Sequence, residues 1–146
     1  MTLTGAPSPV PLVLDTNIVL DVFVFNDVAA QPVRDGLATG TLHWLATAPM
    51  RDELERVLGY PQIVPRLTFY GLLAADVLAR FDQLAHVVAV PPKVHLTCRD
   101  PDDQKFMDLA AAHKALLLSK DRALLSMRKR LLTLGVVTQA AIKSVA

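Results

Sequence analysis

The chain has a single cysteine, Cys98, so no internal disulfide can staple it. That is consistent with a reducing compartment, and the cytoplasm is the default expectation. No apolar run approaches the ~20 residues that a bilayer-spanning helix needs, which argues against a membrane protein despite a mean hydropathy of +0.36. The first residues carry no basic segment followed by an uninterrupted apolar one, so residues 1–9 read as a loose leader rather than a secretion signal. Gly/Ser-rich linkers, internal repeats and low-complexity runs are missing, and nothing argues for a second domain. No phosphate-binding glycine loop is present, which leaves nucleotide hydrolysis without support. His43, His86, His95 and His113 share no metal-ligand spacing and read as ordinary surface or packed residues.

What is present is a hydrophobic chain of 146 residues, 52% apolar, long enough to bury a core in one domain, 1–146. Its net charge of +1 gives no strong overall field. The positive charges are unevenly placed. Arg34, Arg51, Arg56, Arg66, Arg80 and Lys93 are spread over residues 1–98, whereas Arg99, Lys105, Lys114, Lys120, Arg122, Arg128, Lys129, Arg130 and Lys143 fall in the remainder. Such a bias reads either as a solvated helix face or as a rim that meets phosphates.

The most informative stretch runs from Val10 to Asp21. Val10, Leu12, Val13 and Leu14 form a short run apolar on both faces, as a buried parallel strand requires, and it stops at Asp15. The carboxyl ends of parallel strands are where ligands bind in open α/β sheets. The competing reading has Thr16 or Asn17 merely cap the next helix, with Asp15 favouring its N-terminus. Ala115–Ser119 repeats the design, an apolar strand ending in a hydroxyl, then Lys120 and Asp121.

Between these strands the pattern predicts a helical turn or two over Ile18–Phe25 and a helix over Val28–Thr39. A strand follows over Leu42–Ala46, then a helix starting near Thr47 with Pro49 in its first turn and Glu53 on its surface. Tyr60–Pro65 reads as a connector and Thr68–His86 as one long helix, whose apolar stripe could face a twin subunit. His86–Val90 reads as an edge strand closed by two prolines. Asp100-Pro101 is a helix start, with Asp102 and Asp103 in the first turn, where acids favour the helix dipole by about 0.3–1 kcal/mol each. Three aspartates in four residues exceed what capping needs. A helix from Arg122 to about Leu132, a strand at Val136–Thr138 and a weak terminal helix over 139–146 complete the pattern. Strands and helices alternate, which predicts an α/β fold, a three-layer α/β/α sandwich around a central parallel sheet.

If the strands ending at Asp15 and Ser119 are neighbours, Asp15 and Asp121 lie side by side, with Asp103 and Glu53 brought to the same edge. Each pair of carboxylates ~5 Å apart repels by about 3 kcal/mol at an effective dielectric of 20, so a positive group must join them. Nothing in the sequence requires a lysine or arginine to do this. A hard divalent cation, Mg²⁺ or Mn²⁺, prefers such an all-oxygen set and could act on a phosphodiester.

Four blocks carry a resemblance: Val13-Leu-Asp-Thr-Asn17, Asp52-Glu-Leu-Glu-Arg-Val-Leu58, Arg99-Asp-Pro-Asp-Asp-Gln-Lys-Phe-Met107 and Leu118-Ser-Lys-Asp-Arg-Ala-Leu-Leu125. In order and content they resemble the acid-bearing blocks of the PIN domain, most closely its branch of toxins from toxin–antitoxin systems. The resemblance spans nearly the whole chain. It implies a Mg²⁺- or Mn²⁺-dependent ribonuclease for single-stranded RNA, held in check by a cognate antitoxin. Residue by residue, Asp15, Glu53, Asp103 and Asp121 match the four catalytic, metal-binding acids, with Asn17 and Ser119 in support; Asp100 and Asp102 are the alternatives to Asp103. Ser119 stands where many members have Thr, and Lys120 where a small residue or Asn is frequent. Arg99, Lys120 and Arg122 are candidate phosphate contacts. A homodimer is the expected assembly.

Two other readings remain. A haloacid-type phosphatase also places Asp at a strand end but wants a second Asp two residues later, where this chain has Asn17. A catalytically idle RNA-binding or protein-interaction module would keep the acids without using them.

Overall fold

A computed structural model describes residues 8–142. Five strands, β1 (Val10–Leu14), β2 (Leu42–Ala46), β3 (His86–Val87), β4 (Leu116–Leu118) and β5 (Val137–Gln139), form one sheet in the order β3-β2-β1-β4-β5. Every pairing is parallel. β1 is the central strand and needs two apolar faces; accordingly Leu12, Val13 and Leu14 are buried, as are Leu117 and Leu118 beside them.

The connections explain the layers. α1 (Thr16–Phe23) and α2 (Gln31–Thr39) lead from β1 to β2, and α3 (Ala48–Leu58), α4 (Val64–Phe69) and α5 (Ala74–Leu84) from β2 to β3, always stepping the same way across the sheet. α6 (Gln104–His113) returns across β1 to β4, and α7 (Arg122–Leu125) and α8 (Arg128–Leu132) lead on to β5 in the opposite sense. Right-handed crossovers therefore put the first five helices on one face and the last three on the other. The contacts agree: α3 packs on α1 and α5, whereas α6 packs on β1 and β4. The result is the expected α/β/α sandwich. Trp44 anchors the first face, 1% exposed, stacked on Phe23 and edge-on to Phe81 with ring centroids 5.7 and 5.0 Å away. Phe106 and Met107 of α6 fill the second.

Several element boundaries differ from the sequence pattern. The long helix expected over Thr68–His86 is two helices. Gly71, at φ +68°, adopts a left-handed conformation that ends α4, and Asp76 caps α5 by accepting from the Leu73 N–H at 2.8 Å. Pro65, read as part of a connector, instead lies in the first turn of α4. Within that segment Val77, Leu78 and Phe81 are buried in the core, while Phe69 and Leu73 stay exposed. The helix expected after Asp121 breaks into α7 and α8, where Ser126 Oγ turns back to the Ala123 carbonyl at 2.8 Å. The edge strand at His86 is two residues long. Of the terminal helix expected over 139–146, Gln139 belongs to β5, residues 140–142 are not helical, and 143–146 lie outside the described residues, as does most of the 1–9 leader. Among the described residues no helix is long and apolar enough to cross a membrane.

Candidate functional site

The strand order reverses between β1 and β4, and the crevice at their carboxyl ends is where such sheets bind ligands. Leu14 pairs with Leu118, and the Asp15 N–H donates to the Leu118 carbonyl at 3.1 Å, so the residues after the two strands emerge together. Ser119, fully buried, joins them: its Oγ donates to Asp15 Oδ2 and accepts from the Asp121 N–H at 2.9 Å. Residues 104 positions apart are thus one constellation.

Capping and site-building turn out to be two uses of one carboxylate. Asp15 Oδ1 accepts from the Ile18 N–H at 3.0 Å and caps α1, while its other oxygen takes Ser119. Asp121 Oδ1 caps α7 through the Ala123 N–H at 2.7 Å, and Asp100 Oδ1 caps the 3-10 turn Pro101–Asp103 through the Asp102 N–H at 3.0 Å. In both, the second oxygen is left over.

The carboxylates themselves converge. One carboxylate oxygen from each of Asp100, Asp103 and Asp121 lies within 4.8 Å of the others. Of the three aspartates weighed for the third acid, Asp100 and Asp103 both reach this point and Asp102 is exposed. Asp103 is 9% exposed, and its Oδ2 has no hydrogen-bond donor. Its neighbours are carboxylates, with which it can bond only by sharing a proton. Burial first, then the charges of Asp121 and Asp100, push its carboxyl up to about 7. Asp15 is raised too, chiefly by burial, against the lowering effect of Ser119; Asp121 adds to the rise. Three carboxylates within reach of one another, one of them buried with an oxygen that no protein group donates to, match the donor set a hard divalent cation takes.

Glu53 sits at the side of this group rather than within it. Thr16 Oγ1 donates to its Oε2, and Lys105 Nζ pairs with its Oε1 at 2.6 Å. Nothing in the sequence required a lysine or arginine among the acids, yet Lys105 joins them through Glu53. Asn17 is exposed on α1. Lys120 pairs with Asp21 at 2.5 Å. Arg99 is exposed, and Arg122 lines a groove of about 360 Å³ with Arg128 and Lys129.

Three contributors were not singled out from the sequence. Thr16 and Lys105 act across 37 and 52 residues, a separation that no local pattern reveals. Gln104 ties the segment before Asp100 to α6: its Oε1 accepts from the Cys98 N–H at 2.7 Å, and its Nε2 donates to the Leu96 carbonyl at 3.0 Å and to Asp108 at 2.9 Å. Asp108 in turn accepts from the Val94 N–H at 3.1 Å. Its one visible signal is the i, i+4 spacing of Gln104 and Asp108.

A family model described as PIN domain matches residues 11–123 of the chain. That span includes β1 through the start of α7, and so every acid named above. No curated protein matches the chain.

Proposed function

This chain belongs to the PIN-domain family, and from that premise we propose that it is an endoribonuclease cutting single-stranded RNA with Mg²⁺ or Mn²⁺, the toxin of a toxin–antitoxin pair. Members of the family usually act as metal-dependent nucleases, and the acidic cluster is in place. The observation that carries the reading is the buried Oδ2 of Asp103, which no protein group donates to, on a carboxylate clustered with Asp121 and Asp100.

In this reading Asp100, Asp103 and Asp121 hold the cation, and Asp15 bounds the site through Ser119. A bound divalent ion supplies positive charge to a phosphodiester oxygen and lowers the pKa of water. The chain itself does the rest. Caps fix one oxygen of each of Asp100 and Asp121, and a cap and Ser119 fix both of Asp15, so the three carboxylates are oriented at no further conformational cost. Arg99 and Arg122 stand exposed on the two segments that carry the acids, where they meet phosphates; Lys120 reaches one only by leaving Asp21. The cognate antitoxin and a second copy of this chain are the protein partners the reading entails.

Incubation of the purified protein with a labelled single-stranded RNA and Mn²⁺ or Mg²⁺ is expected to yield internal cuts that EDTA abolishes. Asp103→Asn and Asp121→Asn should each lower the rate by at least ~10²-fold. Equal cleavage by these variants would remove the nuclease reading; binding of RNA and metal with no cleavage by wild type would favour an idle RNA-binding module.

A further inference from the structure

A centre built from four acids invites two cations, yet here the fourth acid already has one. Glu53 accepts from Thr16 on Oε2 and from Lys105 on Oε1, so neither oxygen is without a donor. The Lys105 ammonium is itself seated: besides Glu53 it donates to the Asp102 carbonyl and lies 4.9 Å from the centroid of the Phe106 ring. Its side chain is 26% exposed and that of Glu53 14%, so the pair is largely withdrawn from water and its attraction is weakly screened. The undonated oxygen of the site lies elsewhere, on Asp103, and the three convergent carboxylates do not include Glu53.

We propose that Lys105 is a resident cation standing where a second divalent ion would otherwise bind. The centre then loads one divalent ion, and Glu53 anchors Lys105 instead of ligating metal. The inference rests on the metal-dependent reading of the same acids and settles the number of ions that reading leaves open. It gives Lys105 a positioning role: Lys105 sits two residues after Asp103 on the same turn, so the Glu53 pair also pins the start of α6 and with it the third acid.

The test is a Mn²⁺ titration at pH 8, followed by the electron paramagnetic resonance signal of the free ion, on wild type, Glu53→Gln, Lys105→Met and Asp121→Asn. Wild type is expected to take up one ion per chain. Glu53→Gln should keep that ion with a loss of affinity of at most about 10–100-fold, as for an outer group, whereas Asp121→Asn should lose well over about 100-fold. Lys105→Met, with Glu53 Oε1 freed, should bind a second ion. Two ions in wild type, loss of the first ion in Glu53→Gln, or a single ion in folded Lys105→Met would each overturn the role given to Lys105 while leaving the nuclease reading intact. No uptake by wild type, or wild-type affinity in Asp121→Asn, would overturn both. Should Lys105→Met fail to fold, the wild-type and Glu53→Gln titrations decide.

Discussion

At the scale of the residue, Asp103 holds the most consequential proton. Its carboxyl titrates near 7 in the folded chain against 3.8 for the free side chain. Between those values the folded state keeps a proton that the unfolded chain releases. The stability this contributes is fully present below about pH 3.8 and is lost as the pH rises through 7. In EDTA, Asp103→Asn removes the repulsion and gives Asp121 a donor, while deleting no packing. At pH 8 the variant is expected to melt roughly 3–8 °C above wild type, for about 1–2 kcal/mol, and the gap should close by pH 5. A variant that melts lower at pH 8 would make Asp103 a structural group with a donor of its own. A cation must displace the same proton, so Mn²⁺ affinity should fall as the pH drops below 7. The gathering of these acids was legible in the sequence because Asp15 and Asp121 each follow an apolar strand and Asp103 comes just after Asp100-Pro101. The roles of Thr16 and Lys105 were not, since each depends on a partner dozens of positions away.

At the scale of the element, every site aspartate but Asp103 is also a helix or turn cap, and the two duties can be separated by substitution. Asparagine caps about as well as aspartate, whereas alanine costs about 1 kcal/mol. Asp121→Asn is therefore expected to hold the melting temperature in EDTA at or above that of wild type, and Asp121→Ala to lower it by several degrees. Both should lose Mn²⁺ equally. Equal destabilisation by the two would show that the charge of Asp121, not its cap, supports α7. The same double duty explains why capping and catalysis could not be told apart from sequence: the residue types that satisfy helix N–H groups are those that bind hard cations. Breaks within helices were hidden for a different reason. The apolar spacing from Leu72 to Leu84 gives no sign of a break, yet the left-handed backbone at Gly71 and the extended Leu73 separate α4 from α5.

At the scale of the whole molecule, alternation of strands and helices was enough to give a parallel sandwich, but not the order of its strands. A run apolar on both faces says that a strand is central without saying which strands flank it. The charge bias toward the later part of the chain does find a structural expression, in the groove shared by Arg122, Arg128 and Lys129 beside the Asp121 cap. With single-stranded RNA and EDTA, the logarithm of the affinity should fall with the logarithm of salt by ~0.7 per phosphate contacted. Replacing all three by Gln is expected to flatten that slope by about 2; an unchanged slope would place the RNA elsewhere. The bond from Ser119 to Asp15 carries one more implication, for the order of events as the chain is made. The first acid leaves the ribosome 104 residues ahead of the serine that holds it. A nascent chain halted before β4 lacks both Ser119 and Asp121, so the constellation can close only after the strand that bears them has been made.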